Sequence, residues 1–144
     1  MRQFLQTLTI CLFCVNYSYA DRIIWSGDVE ANGTPTSPIT LTLKKKYKIK
    51  AQGTVNLGKW WQQGKPLGED ACYEFAEHIT PSKFETLKNS LNISVCEGSY
   101  HPDHIYQSEP FIAKQNRIHF WIYDIDYSDN LGTLQVEIIE LSDH

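Results

Sequence analysis

No apolar run in this chain approaches the roughly 20 residues that a membrane-spanning helix requires. The longest, Leu8 to Val15, stops well short. Basic residues are also in short supply. Thirteen Lys and Arg against seventeen Asp and Glu give a formal net charge of -4, a balance that opposes nucleic acid and anionic membrane surfaces as main partners. The one basic cluster, Lys44-Lys45-Lys46 with Lys48 and Lys50, reads as a solvated turn and strand face. Missing as well are a Gly-x-Ser-x-Gly elbow, a phosphate loop, a dinucleotide fingerprint and a His-Glu-x-x-His helix, so the chain is expected not to be an enzyme. His101-Pro-Asp103-His104 offers three donors where a structural zinc site takes four. His78 reads as a surface or boundary histidine rather than a catalytic base. Glu69 and Asp70 with Glu74 would form a glycosidase pair only at separations of about 5 or 6.5–9.5 Å, which spacing along the chain does not define.

Cysteine is sparse, and its placement is informative. Met1 to Ala20 combines Arg2, the short apolar run and a small-residue Ser18-Tyr-Ala20 end, the pattern of a cleaved signal peptide. Cys11 and Cys14 lie inside that segment and leave with it. Cys72 and Cys96 remain in a mature chain from Asp21 to His144, where an oxidising compartment would pair them. Closing a loop of about 25 residues would contribute about 3.5 kcal/mol in the chain-entropy picture. Removing Arg2 and no acid leaves twelve basic residues against seventeen acidic ones.

The mature chain shows no repeat, low-complexity tract or long linker, so one domain over residues 21–144 is expected. Short strands are predicted at Arg22 to Trp25, Ile39 to Leu43, Tyr47 to Gly53, Phe111 to Ala113, Ile118 to Tyr123 and Thr133 to Leu141. Turn-rich clusters separate them, which indicates an all-β sandwich or barrel. One short helix is predicted over Ser82 to Leu91, where Pro81 and Ser82 stand at the start and Phe84, Leu87 and Leu91 fall on one face. The irregular stretch Gly58 to Phe75 carries Trp60 and Trp61. Each is expected to pack inward more often than to touch a ligand, yet paired tryptophans can stack on the apolar faces of sugar rings, which makes them candidate platform residues.

What the chain has in excess is negative charge in one turn. Asp124-Ile-Asp126-Tyr-Ser-Asp129-Asn130-Leu-Gly132 places three carboxylates and an amide within seven residues, between two apolar alternations. A hairpin turn does not require that charge, although Asp and Asn beside Gly also suit a plain solvated hairpin because they cap their own backbone. Clustered carboxylates become favourable around a hard cation, and calcium takes six to eight oxygens. The loop is not an EF-hand, because a count from Asp124 puts Asp129 where that motif needs Gly and Gln135 where it needs Glu.

Three separated pieces resemble one family. They are Trp25-Ser-Gly27 with Val29 and Ala31, then Lys48-Ile-Lys-Ala51-Gln-Gly53, and Phe120 through Val136 across the acidic loop. Together they resemble the PA-IL-like, calcium-dependent galactophilic lectins and the wider galactose-binding-like sandwich. The match covers both ends of the mature chain and is weak from Gly58 to Ile112. It implies a single jelly-roll-like β-sandwich and a bound Ca2+. Asp129 and Asn130 match the adjacent ligands before Gly132, Leu57 stands where a backbone carbonyl donates, and Asp124 matches the acid that opens the loop, with Asp126 as the competing choice. The family's sugar-contacting His-Pro-x-x-Gln segment is not reproduced in Gly64-Lys-Pro-Leu-Gly-Glu-Asp70, so galactose specificity is not implied. The loop from Asp124 to Asp129 is also shorter than in those lectins. The resemblance points to a bacterium, where the sequons at Asn32 and Asn92 would be inert.

The expected protein is therefore a secreted or periplasmic, calcium-dependent carbohydrate-binding module without catalysis. Its partner would be a carbohydrate or glycoconjugate, with Trp60, Trp61 and Asp124 toward the sugar, and a homo-oligomer is left open. The alternative is a structural or interaction protein of the same fold that has lost sugar binding.

Overall fold

The structure, a computed structural model, describes residues 20–58 and 61–142. The expected signal peptide falls almost wholly on residues 1–19, outside the described residues. Among the described residues no helix is long and apolar enough to cross a membrane.

Period-two patterning builds the main sheet. Thr133–Glu140 buries Leu134, Val136 and Ile138 and turns Gln135 outward, and Lys46–Gln52 buries Tyr47, Ile49 and Ala51 in the same rhythm. These two strands pair antiparallel, with Val136 opposite Ala51 and Ile138 opposite Ile49, so a continuous apolar stripe faces one way. Arg22–Glu30 lies on the far side of Thr133–Glu140, with an irregularity between Ile23 and Trp25. Ile105–Gln107 and Phe111–Ile112 complete the sheet along the other edge of Lys46–Gln52. The lysines at 46, 48 and 50 alternate with the buried residues as a strand face requires, and Lys50 bonds Glu137 at 3.2 Å from the register position directly opposite.

Short strand pairs cover the apolar stripe and give a sandwich-like, all-β fold. Leu87–Asn89 pairs with Phe120–Ile122, and Ile39–Thr40 pairs with Arg117–Ile118. Their Leu87, Phe120, Ile122, Ile39 and Ile118 join the sheet residues in one core, and Trp25 stacks on Phe120 at 5.8 Å. A three-stranded unit, Gly68–Glu69, Tyr73–Ala76 and Ile79–Lys83, is tied to the core by the Cys72–Cys96 disulfide. Both cysteines are buried, as their expected pairing requires.

The predicted helix over Ser82 to Leu91 does not form. Ile79–Lys83 is instead a strand against Tyr73–Ala76, and Leu87–Asn89 is a strand against Phe120–Ile122. Leu87 and Asn89 are buried on either side of a half-buried Lys88, so the segment satisfies a period of two as well as the helical spacing that Phe84, Leu87 and Leu91 suggest. Neighbours decide between the readings. The Thr86 hydroxyl donates to the Asp70 carbonyl at 2.7 Å, and the Tyr123 N–H donates to the Thr86 carbonyl at 2.8 Å. A β-branched residue with such partners gains more from the sheet than from a local helix.

Candidate functional site

The acidic loop leaves Phe120–Ile122 and returns through Asn130–Leu131, which pairs antiparallel with Asn56–Leu57. That pairing brings the segment after Gly53 beside the loop, with Leu57 opposite Asn130. Tyr127 pins the turn from above. Its hydroxyl accepts the Asp124 N–H at 3.1 Å, and its ring lies over Gly33, where a Cβ would come within 2.6 Å of the ring. Asp126 Oδ1 accepts the Ser128 N–H at 2.9 Å, and this backbone bond, with the Ser128 hydroxyl, holds its carboxyl below the usual range. Asp126 is thus engaged in shaping its own turn.

Leu57, Asp124, Asp126 and Asp129 line one pocket of about 680 Å³, together with Glu74, Phe84 and Ile125. The size lies within the range of about 300–1,000 Å³ typical of small-molecule sites. Asp129 reaches over Gly58, whose φ is +106° and where a Cβ would stand 2.8 Å from the Asp129 carboxylate. Glycine is the residue that permits both the backbone turn and that approach. Asn130 is oriented by its amide, since Nδ2 donates to the Ala31 carbonyl at 2.9 Å. Its Oδ1 is buried and has no hydrogen-bond partner. An oxygen withdrawn from water without a donor or cation is costly, and such groups are rare enough in folded proteins to call for an explanation. Among the described residues no three His, Cys, Asp or Glu side chains gather about one point to hold a metal. Any ion here would draw on a mixed set of carboxylate, amide and backbone oxygens.

Beneath the pocket lies Glu69, 1 % exposed. Its Oε2 accepts the Leu57 N–H at 3.1 Å, so it props the strand that carries Leu57. Burial pushes its carboxyl from 4.5 up to about 7, against the lowering effect of that hydrogen bond, and Glu74 and Asp124 add to the rise. Between those two values the folded chain holds a proton that the unfolded chain has released. Stability should therefore fall by about 3 kcal/mol as pH rises through this window and level off above it. Urea midpoints measured with a chelator present from about pH 5 to pH 8 check this. Glu69→Gln should flatten the profile.

Asp70, beside it in sequence, serves different neighbours. It is wholly buried. Oδ1 accepts the N–H groups of Cys72 and Tyr73, both at 2.8 Å, while Oδ2 accepts the Tyr106 hydroxyl at 2.9 Å and faces His104 Nδ1 at 2.9 Å. Burial first, then the hydrogen bond to Asp70 and its charge, leaves the Tyr106 hydroxyl far above its ordinary range, against the lowering effect of the bond it accepts from the His101 N–H. His104 stacks on Phe75 at 4.5 Å and His101 on Tyr106 at 5.0 Å, and His101 Nδ1 lies 2.8 Å from the Ile105 carbonyl. The His-Pro-Asp-His segment is thereby woven into the scaffold beside the disulfide. Sequence reasoning did not foresee the roles of Glu69 and Asp70. The only signal was two adjacent acids within an otherwise irregular stretch, which does not distinguish a prop from a solvated turn.

Of the paired tryptophans, Trp60 lies outside the described residues. Trp61 is 63 % exposed on the hairpin Trp61–Gln62 with Lys65–Pro66, and it is not among the residues lining the pocket. Among the described residues the aromatic ring lining the pocket is that of Phe84. Compared with family models, curated proteins and solved structures, the chain finds no match, so its own geometry must carry the functional reading.

Proposed function

We propose that this chain is a calcium-dependent carbohydrate-binding module, exported with residues 1–20 removed. The observation that carries the ion is Asn130 Oδ1, a buried oxygen without a partner next in sequence to Asp129, whose carboxylate lies over Gly58. Leu57 and Asp124 border the same pocket. Asp129, Asn130, Asp124 and the Leu57 carbonyl would hold calcium, in keeping with the oxygen preference of that ion. Asp126 is the competing choice for Asp124, since each carboxylate accepts one backbone N–H of its own turn, from Ser128 and Ile125 respectively. The ion would neutralise the loop and offer open positions to sugar hydroxyls. Resemblance of the flanking strands to the galactophilic lectins supports the same reading, and the buried Cys72–Cys96 disulfide supports an oxidising destination.

Calorimetric titration with calcium tests the ion site, and a glycan array with and without EDTA tests the ligand. Loss of a residue that merely supports a metal ligand costs about 10–100-fold in affinity. Asp129→Ala is expected to reach at least the upper end of that range and to abolish glycan binding. A chain that takes up no calcium at millimolar concentration contradicts the reading.

Ile125 and Leu131, 88 % and 70 % exposed on this loop, favour as a second reading a structural or interaction protein of the same fold without sugar recognition. Partner binding that is insensitive to both EDTA and glycans would select it.

A further inference from the structure

The pocket has a lopsided chemistry that an ion alone does not balance. Leu57, Phe84 and Ile125 supply apolar surface, Glu74, Asp124, Asp126 and Asp129 supply four carboxylates, and among the described residues no cationic side chain lines it. In the calcium reading Asp129 and one of Asp124 and Asp126 are neutralised by the ion, and the other is held in its own loop by a backbone N–H, from Ile125 at 2.6 Å or Ser128 at 2.9 Å. That leaves Glu74. It projects from Tyr73–Ala76, in the strand unit that faces the acidic loop across the pocket, and it is half-buried with a long bond from the Ser82 hydroxyl at 3.4 Å. Behind it, at the paired register position, stands the buried Glu69. Among the described residues no cationic side chain pairs with Glu74.

We propose that the pocket selects a hexosamine with a free, protonated amine, whose ammonium pairs with Glu74 while its hydroxyls meet the calcium and its apolar face lies on Phe84. The assignment rests on the carbohydrate reading above and narrows it to a ligand class. A neutral hexose would shield the Glu74 carboxylate from water and return only neutral hydroxyls, which is unfavourable for a charge. An ammonium returns a charge-assisted hydrogen bond, about twice as strong as a neutral one. N-acetylation removes that charge. Phe84 supplies an aromatic wall for the C–H face of the sugar, at the pocket itself rather than on the exposed hairpin of Trp61.

The test uses the native chain at saturating calcium, after calcium affinity has been measured separately. Galactosamine and glucosamine are titrated at neutral pH beside their N-acetyl forms, the neutral hexoses and a simple alkylamine. Free hexosamines should bind about tenfold tighter than the acetylated and neutral sugars, and the alkylamine alone should bind negligibly. Glu74→Gln should erase the preference and leave hexosamine and hexose equal. Neutral or acetylated sugars binding as well as the free amine in the native chain would overturn the hexosamine assignment and leave the lectin reading standing. An alkylamine as strong as the hexosamine would overturn it in favour of a groove for basic side chains. Calcium uptake without any saccharide binding would overturn both the assignment and the carbohydrate reading, and absence of calcium uptake would overturn the ion site.

Discussion

Asp70→Ala should destabilise the chain by about 4 kcal/mol, more than any other single substitution considered for this protein. Its carboxylate is wholly buried and serves four neighbours: two N–H groups of the cysteine turn, the Tyr106 hydroxyl and the His104 ring. Alanine would leave those groups facing a small apolar void. Each buried donor left without an acceptor costs about 1–3 kcal/mol, and local relaxation recovers part of the sum. Asp70→Asn keeps the volume and one acceptor oxygen but sets an amide N–H where the Tyr106 and His104 contacts lie, so an intermediate loss is expected. Urea denaturation of both variants, followed by circular dichroism, checks the order. Equal stability of Asp70→Ala and the parent would show that the network contributes nothing net.

Removing the disulfide should have the second largest effect. Cys72 and Cys96 are 24 positions apart and both buried, so opening the loop releases about 3.5 kcal/mol of chain entropy to the unfolded state. The double replacement Cys72→Ala with Cys96→Ala avoids placing a hydroxyl in the core and isolates the cross-link. A shift in urea midpoint without a large change in slope would identify the loss as one of stability rather than of compactness. The two predictions are coupled through the backbone, because Asp70 accepts the N–H of Cys72 itself. Asp70→Ala should therefore cost less in the cysteine-free background than in the parent, and the difference, read from a double-mutant cycle, measures how far the carboxylate and the cross-link hold one turn.

Much of the fold was legible before any coordinates. The strands at 46–52, 120–122 and 133–140 carry alternating apolar residues on nearly every second position, and a period of two survives whatever packs against it. The pairing of Cys72 with Cys96 needed only the count of cysteines outside the expected signal peptide. The segment from Ser82 to Leu91 was misleading for a physical reason. Its apolar positions suit both periods, and the partners that settle the matter, the Asp70 carbonyl and the Tyr123 N–H, lie 16 and 37 positions away in sequence.

The acidic loop divides in the same way. Its charge excess, its candidate oxygens and the glycine that ends it were evident from local composition, since turn residues act through their own backbone. That Leu57 would stand opposite Asn130, that Glu69 would hold Leu57 from below and that Glu74 would close the pocket from another sheet all depend on strand register across distant segments. Local sequence carries the propensity of each piece and the chemistry it can offer. Which pieces meet is decided by long-range pairing and burial, and here these turned a run of carboxylates into a walled pocket with an orphaned oxygen at its side.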